Sequence, residues 1–271
     1  MSQTQKIIKN LALALAFFLI VIIFGGIAFV FNLIGDLFFN DNTLLGNLKT
    51  TNISDKIENL ELEIGASNLK IIVSDEFKIE TNSKKINIKE KNKILYIEEK
   101  PDLITIGEAA DIIIYIPEDK IINNLNLEAG AGSIKVEQVT INNLELELGA
   151  GKADIEELIV LKNTDISGGI GQINLLNSQL NNLDIELGMG ELNLSGQILG
   201  NSQIECGVGN SNITLFGTEK DYKLNISTGI ANIKLNNKSL STETIYGTGD
   251  NKISLSGGIG NISIKTTNER E

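Results

Sequence analysis

The sequence predicts an all-β solenoid with rungs of about 20 residues, preceded by one N-terminal transmembrane helix. Three observations predict it. A Gly-centred motif recurs eight times, at regular spacing over most of its span. Within each copy apolar residues alternate with polar ones, the two-residue period of a strand. One long apolar run stands apart from the repeats, at the N-terminus.

Composition narrows the chemistry. The 271 residues include 26 Gly, 2 Pro, 1 Cys and no His or Trp, with a formal net charge of −12. Without His there is no Ser–His or Cys–His nucleophile pair and no imidazole ligand. One Cys allows neither an intrachain disulfide nor a thiolate cluster. The acidic balance argues against a nucleic-acid partner, which calls for a basic patch. Aromatic residues make up 5% of the chain, which argues against a carbohydrate or base stacking platform. No catalytic, cofactor-binding or metal-ligating residue is assigned, and no enzyme activity is expected.

The first element follows a short stub, residues 1–10. Leu11 to Phe31 contains no charged or strongly polar side chain. As a helix it spans about 30 Å, the thickness of a bilayer's hydrocarbon core. A cleaved signal peptide is the alternative, but its apolar region is shorter and ends in a small-x-small site. Ile27-Ala28-Phe29 is a poor site, and no Cys follows to carry a lipid. The reading is an uncleaved signal-anchor over residues 11–35. Lys6 and Lys9 precede the span and Asp36 and Asp41 follow it. The positive-inside rule then puts the N-terminus in the cytoplasm and the rest outside, in a single-pass cell-membrane protein. Those two lysines removed, the external part carries −14.

Residues 36–52 read as a tether, residues 53–265 as the solenoid and residues 266–271 as a frayed tail. The repeats include LELEIGASNLKI (60–71), LELELGAGKADI (144–155), LDIELGMGELNL (183–194) and ISLSGGIGNISI (253–264). Their central glycines are Gly65, Gly130, Gly149, Gly169, Gly188, Gly207, Gly229 and Gly258; from Gly130 onward the spacings are 19, 20, 19, 19, 22 and 29. In 144–155, Leu144, Leu146, Leu148 and Ala150 share one face, and Ala153 and Ile155 resume one residue out of phase; in 183–194, Leu183, Ile185, Leu187 and Met189 give way in the same manner to Leu192 and Leu194. Such a slip would turn the second strand outward unless the chain bends there. Each Gly-x-Gly is therefore read as a corner, with both strands aimed at one core.

A second corner is marked by Asn59, Asn124, Asn143, Asn163, Asn182 and Asn201. Asn tolerates a left-handed backbone, and stacked amides can hydrogen-bond up a column. The section 53–122 holds the first rung, strands over 93–98 and 111–116, and an irregular excursion over 72–120. The later rungs, after Gly207, lengthen and are expected to form the distal cap. Cys206 falls at the core position of Leu148 and Leu187 and is read as a buried apolar residue.

Outward positions on the first strand hold Glu61, Glu63, Glu128, Glu145, Glu147, Asp165, Asp184, Glu186 and Glu205. At a rung spacing of about 4.8 Å they form a carboxylate ladder. It reads as a solvated, aggregation-resistant face; a sharper reading has Ca²⁺ or a cationic surface neutralise it. The second strand presents Lys70, Lys135, Asp154, Asn174, Asn193, Asn212, Lys234 and Ser263, mostly neutral. The GAG, GMG and GVG fragments sit between strands, whereas a phosphate-binding loop opens a helix.

The stretch DIIIYIPEDKIINNLNLEAGAGSIKVEQV (111–139), a strand ending in Pro and then L-x-L-x-x-G-x-G-x-I-x-V, resembles the DUF4097 family of candidate adhesins. It also resembles the related toast-rack β-solenoid heads of bacterial envelope proteins. The resemblance covers roughly 53–265. It implies a right-handed β-helical stack without known catalytic residues, and a role in adhesion or envelope-stress signalling. Ser67 and Ala231 depart from it, each replacing the second Gly of its motif. The expected function is a non-catalytic adhesion or binding module at the bacterial cell surface. Its partners would be the membrane, through residues 11–35, and a cell-envelope polymer or protein. A stress-sensing scaffold acting through a membrane partner is the alternative, and a surface hydrolase a third, weaker one.

Overall fold

The computed structural model describes residues 48–100, 109–241 and 243–268, all within one unit, Leu45–Glu271. Every regular element among them is a strand. No helix among the described residues is long and apolar enough to cross a membrane. The expected span over residues 11–35, the stub before it and the tether over 36–47 lie outside the described residues.

In chain order the strands are β1 (Lys49–Asn52), β2 (Asn59–Ile64), β3 (Asn68–Ser74), β4 (Lys78–Thr81), β5 (Ile86–Lys91), β6 (Ile94–Glu99), β7 (Asp111–Pro117), β8 (Ile121–Glu137), β9 (Thr140–Glu156), β10 (Ile159–Asn181), β11 (Leu183–Leu199), β12 (Asn201–Phe216), β13 (Tyr222–Leu235), β14 (Lys238–Leu240), β15 (Glu243–Tyr246) and β16 (Asn251–Thr267).

The long strands are bent rungs that stack in parallel. β8 pairs with β9, β9 with β10, β10 with β11 and β11 with β12. Register is fixed by the alternation, because a slip of one residue would turn every apolar side chain to solvent. One inward column runs through nine rungs: Ile97, Leu62, Leu127, Leu146, Ile166, Ile185, Ile204, Leu255 and Ile226. Each member is buried. Each contributes about 1.5–3 kcal/mol of apolar burial. A second column runs through Val136, Ile155, Leu175, Leu194 and Ile213 on the strand beyond the Gly corner. A third strand in each rung adds Ile122, Ile141 and Val160, so three columns close on one core.

The Gly-x-Gly corner is where the slip is taken up: Ala153 and Ile155 are buried with Leu146 and Leu148. Ala150 and Met189 do not share that face. They are half-buried and stand at the outside of the corner. The corner needs glycine because the rungs touch there. A Cβ on Gly190 would sit 1.7 Å from the carbonyl oxygen of Gly171, and the Gly190 φ is +141°. The ladder permits neither a side chain nor an ordinary φ at this position.

The Asn corner plays one of its two expected roles, the amide ladder, without the left-handed backbone expected along the column. Of the six Asn, only Asn182 has a left-handed backbone, with φ 46°. The amides form the expected ladder: Asn124 donates to Asn59 (2.6 Å), Asn143 to Asn124 (3.0 Å), Asn163 to Asn143 (3.0 Å) and Asn182 to Asn163 (3.5 Å).

Both ends of the stack depart from chain order. Beyond β12 comes β16, the last strand in sequence, and only then β13. The distal cap is therefore not the chain end. The segment after Gly207 builds the outermost rung, β13, covers it with antiparallel β14 and β15, and returns to fill the slot beside β12. The longer spacings are the length needed for that crossing. The opposite end mirrors it. β2 and β3 lie directly on β8, while the excursion supplies a further rung outside them: β6 pairs with β2 and β7 with β3. Antiparallel β5, β4 and β1 close that end.

Two boundaries shift accordingly. Lys49–Asn52, expected in the tether, is a strand paired with Lys78–Thr81. Thr266 and Thr267, expected in the tail, belong to β16 and pair with β12. In both places a neighbouring strand offers ladder partners that the local sequence does not announce.

Candidate functional site

The expected outward columns are in register. Glu63, Glu128 and Glu147 pair in succession; Ser167 interrupts the column before Glu186 and Glu205. The parallel column reads Glu61, Asn126, Glu145, Asp165, Asp184 and Gln203. Amides break both the charge and the repulsion, as where Asn126 donates to Glu61 at 3.1 Å. Partial burial, and then the neighbouring Asp165 and Glu205, push the Asp184 carboxyl above its usual range. No group of three or more acidic, His or Cys side chains among the described residues is disposed to hold a metal ion. The ladder thus offers repelling charges spread along a face rather than a coordination cage.

The second column is partly tied together. Asn174 donates to Asp154 (2.6 Å), Asn193 to Asn174 (2.9 Å) and Asn212 to Asn193 (2.9 Å). At one end Glu137 sits between Lys70 (3.4 Å) and Lys135 (2.9 Å). Hydrogen bonding to the Lys135 ammonium is the main influence that lowers the Glu137 carboxyl below its usual range. Ser263 precedes Lys234 in this column, since β16 lies inside β13.

Cys206 is half-buried, packed against the core. Burial raises its thiol, with the Ser211 hydroxyl opposing as a smaller influence. A raised thiol carries little thiolate and is a poor nucleophile.

Ser67 and Ala231 stand where the Gly column ends. Ser67 has no Gly corner beneath it; the Glu99 carboxylate takes that place. It accepts from the backbone N–H of Gly65 (2.7 Å), Ala66 (3.0 Å) and Ser67 (3.2 Å), and from the Ser67 hydroxyl (2.6 Å). Ala231 lies in the outermost rung, at a corner that neither β14 nor β15 pairs. A methyl group is accommodated where the backbone can yield outward.

One concavity was not anticipated. A groove of about 550 Å³ runs across the rungs, lined by Val73, Glu118, Gln138, Glu157, Ile159, Asn177, Ser178, Gln179, Gln197 and Phe216. Gln138, Glu157 and Asn177 form its corner, in consecutive rungs, and all three have left-handed backbones (φ 60°, 53° and 53°). Holding long polar side chains in that conformation costs energy that Gly would avoid. Gln138 donates to Glu157 at 2.7 Å. The side chains of Asn177, Gln179 and Gln197 make no hydrogen bond to a described residue. The repeat does not reveal this corner, because the corner carries no constant residue type.

A second, shallower depression of about 540 Å³ overlies Asn59, Asn124, Asn143 and Asn163 with Glu61, Glu145 and Asp165. Its amides are spent on one another.

Comparison with known proteins gives one family and a set of solved structures. Residues 49–269 match the family described as Toastrack DUF4097. A candidate cell adhesion protein from Clostridium sporogenes is 18% identical, with 82% of this chain and 99% of that one covered and a TM-score of 0.42. A candidate adhesin from Bacteroides fragilis is 13% identical, covering 80% and 97%, with a TM-score of 0.44. A candidate lipid binding protein from Parabacteroides distasonis is 17% identical, covering 82% and 98%, with a TM-score of 0.32. No curated protein matches the chain.

Proposed function

We infer the function of this chain from the premise that it belongs to the Toastrack DUF4097 family: it is a non-catalytic binding module, held at the bacterial cell surface by residues 11–35. The observation that supports this reading is the register of the outer columns. Side chains on successive rungs recur in line across parallel ladders, from β2 to β12. A stiff face of that kind suits multivalent attachment, in which weak contacts at matched spacing add to useful avidity. The backbone groups are tied up in the ladder, so side chains carry the recognition.

Retention of cells tests the reading. A non-adherent bacterium displaying the full chain is washed over immobilised cell-envelope material, beside cells carrying residues 1–52 alone. Greater retention with the full chain is the expected result; equal retention overturns the reading. Exchanging residues 11–35 for an unrelated apolar span should leave retention intact. If retention instead depends on the native span, the chain acts through a membrane partner, as a stress-sensing scaffold would.

A further inference from the structure

We propose that the groove along the Gln138–Glu157–Asn177 corner binds a neutral, hydroxyl-rich oligosaccharide laid parallel to the stack axis. The proposal rests on the binding-module reading and names its site and ligand class.

Direction is the first argument. The groove crosses successive rungs, from Val73 and Glu118 at one end, through Gln138, Glu157 and Asn177, to Phe216 at the other. A ligand lying in it runs perpendicular to the strands. A peptide could not add as a strand there, because the strand edges that it would need are already paired. Its repeat of about 3.4 Å per residue also falls out of step with rungs about 4.8 Å apart. One pyranose unit of an extended β-linked chain is close to one rung in length, so each sugar would meet the same column position.

Hydrogen-bonding capacity is the second argument. The Asn177, Gln179 and Gln197 amides each offer two donors and an acceptor. None is spent within the described residues. Vicinal hydroxyls, which donate and accept from neighbouring atoms, match that pattern. The depression over Asn59, Asn124 and Asn143 lacks this capacity, since its amides already form a ladder.

Charge is the third argument. Glu118 and Glu157 line the groove, and among the described residues no Lys or Arg does. A polyanion would be repelled, whereas carboxylates accept readily from sugar hydroxyls. Phe216 is half-buried at the far end and offers one ring against which the apolar face of a terminal sugar can pack.

The test is calorimetric titration of the detergent-solubilised full chain with cellohexaose and with the hexamer of N-acetylglucosamine. A galacturonate hexamer and a lysine octapeptide serve as anionic and cationic probes. At least one neutral hexamer should bind, with Kd of about 1 mM or tighter. The Gln179→Ala/Gln197→Ala double variant should bind it about tenfold more weakly. Phe216→Leu should weaken it less. Asn124→Ala, in the other depression, should leave it unchanged. Both double-variant positions face outward, and unchanged circular dichroism verifies the fold. Failure of both neutral hexamers to bind at about 10 mM, undiminished binding by the double variant, or tighter binding of either charged probe overturns the proposal. If retention of cells persists in the double variant, the groove assignment falls while the binding-module reading stands.

Discussion

The centre of the stack and its two ends are built from the same motif under different rules. From β8 to β12 each rung lies on the one before it in sequence. There every corner has a neighbour on both sides, and Gly is required because a carbonyl of the preceding rung occupies the space of a Cβ. At the ends chain order is abandoned. β6 and β7 lie outside β2 and β3, and β13 lies outside β16. The motif relaxes at the outer rungs, to Ser67 on Glu99 and to Ala231. The repeat encodes stacking, and the ends encode how stacking stops. An open terminal rung would present unpaired N–H and C=O groups to other chains. Antiparallel strands cover each end instead.

Substitutions can break this contrast. Gly190→Ala, in the centre, forces apart two backbones in contact and is expected to cost about 3–5 kcal/mol. Ala231→Gly, at the equivalent corner of β13, should change stability by about 1 kcal/mol or less. Urea unfolding of both variants measures the difference, and similar losses would refute the role given to rung contact. Next in size is the central core. Ile204→Ala removes a fully buried side chain and should cost about 2–5 kcal/mol. Leu240→Ala, half-buried in the cap, should cost clearly less.

Glu99→Ala tests the stop at the other end. Three backbone donors and the Ser67 hydroxyl lose their acceptor, for a loss of about 1–3 kcal/mol. Hydrogen exchange should quicken at Gly65, Ala66 and Ser67 before it does in β10. Uniform quickening would show that Glu99 supports the stack as a whole.

The smallest effects are electrostatic, and their signs oppose. The Asp184 carboxyl is raised in the folded chain, chiefly by partial burial. The folded state then holds its proton more tightly than the unfolded state, so ionisation there detracts from stability at neutral pH. Asp184→Asn should therefore match or exceed the parent in Tm at pH 7, and the gap should close as pH falls through the carboxylate range. At the β4–β7 end, Glu80 is lowered, chiefly by the Tyr115 hydroxyl at 2.9 Å. Its contribution is present above the unfolded carboxylate range and is lost as pH falls through the lowered folded value. Glu80→Gln should remove that part of the acid sensitivity. Tm profiles of the two variants that respond alike would contradict the assignment.

Much of the architecture was legible in residues 121–216. There the alternation, the glycines and the Asn column all report on neighbours one rung away, and one rung is one fixed step in sequence. The Asn ladder was readable for the same reason, although only one of the six Asn adopts the left-handed backbone that the residue type suggested. The groove was hidden because Gln138, Glu157 and Asn177 share a backbone conformation rather than a residue type. The positions of Ala150 and Met189 were misjudged because alternation was carried one residue too far into the corner.

By itself, the sequence determined the strand content, the rung length, the corner at Gly-x-Gly and the inward columns. These follow from local period and from backbone sterics, which act within a rung or between consecutive rungs. Tertiary structure alone decided that β16 sits inside β13 and that Glu99 completes the Ser67 corner. Both involve residues tens of positions apart. A parallel ladder accepts any in-register strand of suitable pattern, so the alternation that defines a rung does not specify its neighbour. That choice is made by which arrangement buries the last apolar columns and covers the outermost rungs with short antiparallel strands.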